Sequence, residues 1–120
     1  MKILIVDDSR AMRMIVKRTL VSAEFDGLTF IEAANGIEAL ERIEADSPDL
    51  VLSDWNMPKM SGIELLDAVR DSGNDLRFVF ITSESSPETK AEAEDAGAEC
   101  VITKPFTVNT MCEALEPLLA

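Results

Sequence analysis

The chain has 120 residues, 47% of them hydrophobic, and a net charge of −12 from 11 basic and 23 acidic side chains. That length is close to the commonest size of an independent domain and can bury a core without disulfide or metal staples, whereas the negative field repels nucleic-acid phosphates and anionic membrane surfaces. No apolar run approaches the roughly 20 residues that cross a bilayer, and Ile3 to Val6 is too short, and too closely followed by Asp7 and Asp8, for a secretory signal.

A cytoplasmic protein is therefore expected. The chain has no histidine, which excludes imidazole ligands and Ser-His-Asp chemistry. Cys100 and Cys112 match no CxxC pattern and sit among apolar residues, so they read as buried free thiols. Any chemistry must run on carboxylates, hydroxyls and lysines.

Hydrophobic periodicity alternates between short apolar runs and helical spacing. Ile3 to Val6 predicts a first strand, and Met12, Ile15, Val16 and Leu20 a first helix. A second strand is expected around Leu28 to Ile31, then a helix opened by Asn35-Gly36 with Ile37, Leu40 and Ile43 on one face. Leu50 to Leu52 reads as a third strand, and Leu65, Leu66 and Val69 as the inner face of a third helix after Pro58 and Gly62. The turn-forming run Ser72-Gly73-Asn74-Asp75 leads to a fourth strand, Phe78 to Ile81, ending near Thr82. A fourth helix from Pro87 to about Ala96 closes at Gly97; its apolar residues are all alanines, so weak anchoring is expected. Cys100 to Ile102 is a short fifth strand, and a last helix from about Thr107 turns Met111, Leu115 and Leu118 inward, with fraying or bending at Pro117.

Five strands apolar on both faces, alternating with five helices, predict an α/β protein: a doubly wound parallel sheet with right-handed crossovers. Residues 1–120 show no linker, repeat or second core, so a single domain without an attached output domain is expected.

In such sheets ligands bind beyond the carboxyl ends of the strands, where strand order reverses. Asp7, Asp8, Asp54, Thr82, Ser83 and Lys104 all fall on that edge. Taken singly, each has a plainer reading: Asp7-Asp8 as helix capping, Asp54 as a turn former, Thr82 as a strand end, Lys104 as a solvated lysine. Together, three converging carboxylates repel unless a cation or proton relieves them. Hard oxygen ligands favour Mg2+. The hydroxyl and the ammonium then suit the oxygens of a transferring phosphoryl group, with one carboxylate as nucleophile.

The stretches Ile5-Val6-Asp7-Asp8-Ser9, Ser53-Asp54-Trp55-Asn56-Met57-Pro58-Lys59-Met60-Ser61-Gly62 and Thr103-Lys104-Pro105-Phe106 resemble the signatures of receiver domains of bacterial two-component response regulators. The likeness runs from end to end and is strongest to single-domain chemotaxis regulators of the CheY type. It implies a flavodoxin-like fold with strand order 2-1-3-4-5. It also implies Asp54 as phosphoacceptor, Asp8 as a direct Mg2+ ligand, Asp7 assisting through water, Asn56 offering its backbone carbonyl, and Thr82 and Lys104 binding the phosphoryl group. A cis Lys104-Pro105 bond, and Asn56 and Glu84 as positions tuning dephosphorylation, follow from the same resemblance. The implied partners are a histidine kinase and a downstream target reading the surface of helix four, strand five and helix five, with the flagellar motor switch as a candidate; a monomer is expected.

Val101 departs from the family pattern, because motor-switch members carry an aromatic residue there; its plain role is strand packing. Asn56 stands where an aspartate-nucleophile phosphohydrolase has a second catalytic aspartate, and Asp7-Asp8 where a flavin carrier has a hydroxyl-rich phosphate loop. A phosphate sink, or an interaction module independent of phosphorylation, remains the alternative.

Overall fold

The computed structural model describes residues 1–84 and 86–119. Its elements alternate strictly: β1 (Lys2–Val6), α1 (Arg10–Ser22), β2 (Thr29–Ala33), α2 (Gly36–Asp46), β3 (Leu50–Asp54), α3 (Gly62–Asp71), β4 (Arg77–Thr82), α4 (Pro87–Ala96), β5 (Cys100–Thr103) and α5 (Val108–Leu119). The strands form one parallel sheet in the order β2-β1-β3-β4-β5. Strand order reverses between β1 and β3, which places the ligand crevice beyond their carboxyl ends.

The continuous apolar runs of the central strands follow from burial on both faces. Leu4, Val6, Val51, Phe78 and Phe80 meet Ala39, Ile43, Leu65, Leu66, Val69 and Ala93 of α2, α3 and α4. Ile3, Ile5, Leu50, Leu52, Val79 and Ile81 meet Val16 and Leu20 of α1 and Met111 and Leu115 of α5. Side-chain hydroxyls and amides start the helices: Ser9, Asn35, Ser61 and Ser86 accept the backbone N–H three residues on, and Ser61 with Glu64 completes a capping box.

The structure departs from the sequence reading in several places. Ile15 and Ile37 are 47% and 46% exposed. Successive steps of three residues drift around a helix, so Ile37 lies about 120° from Ile43 and off the face that α2 buries; Ile15 is displaced in the same way by its neighbour Val16. β2 begins one residue later than expected and runs to Ala33, because it pairs with β1 from Lys2↔Thr29 to Val6↔Ala33. α5 continues through Pro117 to Leu119: only its last two residues follow the proline, so little of the helix depends on the lost bond. Cys100 and Cys112 are free, as expected, but half-buried.

α4 matches its expected bounds, with Pro87 in the first turn and Gly97 closing it at φ 103°. Only Thr89 and Ala93 of this helix are buried. Its hold on the sheet is correspondingly slight.

Candidate functional site

The chain leaves the sheet at Asp7. Its N–H still donates to the Ala33 carbonyl at 3.1 Å, while its Oδ1 turns back to accept the Ser9 N–H at 2.9 Å. Asp7 is buried at 5% exposure. Burial pushes its carboxyl above the ordinary value, and the charges of Asp54 and Asp8 add to this; the Ser9 N–H and the Lys104 ammonium pull the other way. Asp8 is exposed. It does not cap α1, since that position belongs to Ser9, whose side chain accepts the Met12 N–H. The capping explanation for Asp8 is thereby removed.

Asp54 is the last residue of β3, beside Ile81 of β4 in register. Its Oδ1 accepts the Trp55 N–H at 2.9 Å and lies 3.4 Å from Lys104 Nζ. That ammonium is also 3.6 Å from Asp7 Oδ2. At these lengths both contacts are ion pairs more than hydrogen bonds. Carboxylate oxygens of Asp7, Asp8 and Asp54 lie within 4.8 Å of one another. Thr82 ends β4 at 1% exposure; its Oγ1 accepts the Glu84 N–H at 3.1 Å and its carbonyl accepts the Lys104 N–H at 2.7 Å. The Lys104-Pro105 peptide is cis. Asn56 is exposed on the loop after β3.

That loop is pinned by Gly62, which the sequence analysis placed only ahead of the third helix and at the end of the Asp54 stretch. The Gly62 N–H donates to the Trp55 carbonyl at 2.9 Å, and a Cβ at Gly62 would come within 2.3 Å of the Asp54 carbonyl oxygen and 2.7 Å of the Phe80 ring. Glycine is therefore required by close approach. Ser53 Oγ donates to the same Asp54 carbonyl at 2.9 Å. Trp55 stands edge-on to Phe80, with ring centroids 4.7 Å apart. Sequence reasoning also missed Arg13, whose Nη1 donates to the Asp7 carbonyl at 2.7 Å. Val101 packs half-buried against the core beneath α4, the plain role expected of it.

The doubly wound sheet and the acidic edge at its switch point define a flavodoxin-like α/β protein with, among the described residues, a candidate cation site at that edge. More narrowly, the chain belongs to the response regulator receiver domain family, whose model matches residues 3–116. It is 38% identical over 122 residues to the chemotaxis protein CheY1 of Helicobacter pylori, covering 99% of this chain and 97% of that one. It is 36% identical to the response regulator MprA of Mycobacterium ulcerans, where the match covers 98% of this chain and 50% of that protein. The solved structure of the Vibrio cholerae chemotaxis protein CheY4 superposes with a TM-score of 0.87 at 38% identity, covering 98% of each chain.

Proposed function

We propose that the chain is a phosphorylation-activated signalling switch whose phosphoacceptor is Asp54. The observation that carries this reading is the joint placement of Asp7, Asp8 and Asp54 within 4.8 Å, with Lys104 in contact with two of them. One ammonium leaves three carboxylates under-neutralised, and all three offer hard oxygens, so the residues fit a Mg2+ ion. Asp8, being exposed, leaves room for the waters that Mg2+ retains. Asp7, Asp8, Asp54 and the Asn56 carbonyl are the residues that would hold it. Bound there, Mg2+ would supply neutralising charge to the phosphoryl oxygens.

Transfer from a phosphohistidine on a histidine kinase forms a bond from an Asp54 oxygen to phosphorus as the phosphorus–nitrogen bond breaks, and the imidazole nitrogen keeps the electron pair. The Lys104 ammonium, already 3.4 Å from Asp54 Oδ1, stabilises the charge developing on the transferring group. The Thr82 hydroxyl accepts from Glu84, which leaves its proton to donate to a phosphoryl oxygen. Drawing Thr82 toward the phosphoryl group pulls on the loosely held α4 and on β5, and the altered α4, β5 and α5 surface is what a target protein reads. The chain is a module that catalyses its own phosphorylation and dephosphorylation rather than an enzyme with an external substrate.

Likeness to two chemotaxis proteins over nearly whole chains supports a chemotaxis role, with the flagellar motor switch as a candidate target. A cytoplasmic monomer formed of one domain over residues 1–120 completes the reading; no helix of the described residues is long and apolar enough to cross a membrane. Intact mass after treatment with a small acyl phosphate and Mg2+ tests the central step. Wild type gains one phosphoryl group and Asp54→Asn gains none; undiminished labelling of Asp54→Asn would overturn the assignment.

A further inference from the structure

Among the described residues, Arg13 is the one basic side chain besides Lys104 that bonds to the acidic turn after β1. The Asp7 carbonyl faces β2, as its N–H does, but has lost its place in the strand ladder, since β1 pairs with β2 only as far as Val6↔Ala33. Arg13 Nη1 takes its place as partner at 2.7 Å. The same guanidinium also pairs on its other side, where its Nε donates to Glu32 Oε1 of β2 at 2.9 Å. The Arg13 side chain is 14% exposed against 42% for Glu32, so packing, more than this ion pair, holds the guanidinium in place.

The peptide whose carbonyl Arg13 holds is the one joining Asp7 to Asp8. Rotation of that plane moves both side chains at once: the Asp7 carboxylate that accepts the Ser9 N–H, and the Asp8 carboxylate that lies near Asp54. We propose that Arg13 is a positioning residue for cation binding, its hydrogen bond to the Asp7 carbonyl fixing the Asp7-Asp8 peptide so that both carboxylates face Asp54. This rests on the reading that the acidic edge holds a divalent cation.

Position and charge predict opposite signs here. If Arg13 acted only through its charge, removing it would tighten binding of a divalent cation and removing Glu32 would weaken it. A positioning role predicts weaker binding without Arg13 and little change without Glu32, which never touches the turn.

The test is Mg2+ titration of the full chain, followed by Trp55 fluorescence and by the Mg2+-dependent shift in melting temperature, with melting in chelator as the measure of folding. Arg13→Ala weakens Mg2+ binding about tenfold, the usual effect of removing a group that orients metal ligands. Arg13→Lys recovers part of the loss, because an ammonium can reach the same carbonyl, and Glu32→Ala binds like wild type. If Arg13→Ala gives no cooperative melt, Arg13→Gln takes its place with the same expected direction. Equal or tighter binding without Arg13, or an equal loss in Glu32→Ala, would overturn the proposal while leaving the cation site standing. A wild type with neither a fluorescence response nor a melting shift would remove the cation site and the proposal together.

Discussion

Lys104 and Asp54 are 50 residues apart in sequence, yet the ammonium stands 3.4 Å from the carboxylate Oδ1. The contact exists because β3 and β5 flank β4 and end at the same edge. Lys104 also approaches Asp7, so a single cation offsets two acids in a partly buried setting. Lys104→Gln should therefore destabilise the protein in chelator by about 2 kcal/mol, the scale for leaving a charged group without its partner. Saturating Mg2+ should narrow the gap to wild type. Urea unfolding with and without Mg2+ measures both, and an equal loss in the two conditions would mean that Lys104 does not share the carboxylates with a cation.

Asp8 and Ser9 are neighbours with opposite predicted behaviour. Ser9 caps α1, so Ser9→Ala should cost about 1 kcal/mol whether or not metal is present. Asp8 contributes repulsion without capping, so Asp8→Ala should melt higher than wild type in chelator and gain little from Mg2+. Wild type at a hundredfold excess of Mg2+ over its dissociation constant should gain about 2.7 kcal/mol, a rise of several degrees in Tm. Paired melting curves of the two variants check this, and a lower Tm for Asp8→Ala in chelator would return the acidic pair to a structural role.

Gly62 offers a test of how tightly the loop after β3 is fitted. An added Cβ meets the Asp54 carbonyl and the Phe80 ring, and neither is the free end of a flexible side chain. Gly62→Ala should destabilise by about 1–3 kcal/mol through overpacking and should slow acyl phosphate labelling by displacing Asp54. Denaturant unfolding and a labelling time course are the measurements; wild-type behaviour in both would show that the loop yields freely.

The architecture was legible because burial on both faces leaves the inner strands without polar interruptions: Ile3 to Val6, Leu50 to Leu52 and Phe78 to Ile81 all lie in the core. The placement of Asp7, Asp8, Asp54 and Thr82 on one edge was legible because they follow or end those strands, and that of Lys104 because it follows β5. Arg13 was not. Its partners, a carbonyl six residues back and a carboxylate on β2, meet only once α1 lies across the sheet. Gly62 was read only as lying ahead of the third helix, since nothing local shows that Asp54 and Phe80 close over it. Ile15 and Ile37 were misplaced because a count of apolar residues does not choose between neighbours that differ by about 100° around a helix.

Asp7 has a raised carboxyl, chiefly through burial and then through Asp54 and Asp8. A carboxyl with a folded pKa above its unfolded value binds more protons in the folded state between the two, so stability falls as pH rises through that window. The cost is absent below the unfolded value and complete above the folded one. In chelator, Asp7→Asn should remove this fall and melt higher than wild type at neutral pH, since an amide oxygen still accepts the Ser9 N–H. Mg2+ should flatten the wild-type profile in the same way. Tm against pH for both proteins reads the difference directly, and parallel profiles would mean that Asp7 carries no such penalty.

Buried only through Thr89 and Ala93, α4 should exchange its amide hydrogens faster than α3, which buries Gly62, Leu65, Leu66 and Val69. Local opening is easiest where the least apolar surface is lost. Thr82 lies at the head of the connection to this helix, with its Oγ1 holding the Glu84 N–H. If the phosphoryl group draws that hydroxyl away, phosphorylation should change exchange across residues 86 to 103. Thr82→Ala should still accept phosphate on Asp54, yet lose most of that change. Hydrogen exchange with mass detection, on wild type and variant with labelling confirmed by intact mass, decides between the outcomes. Equal changes in the two proteins would show that the signal reaches α4 and β5 without Thr82, leaving Lys104, bonded through its backbone N–H to the Thr82 carbonyl, as the remaining link.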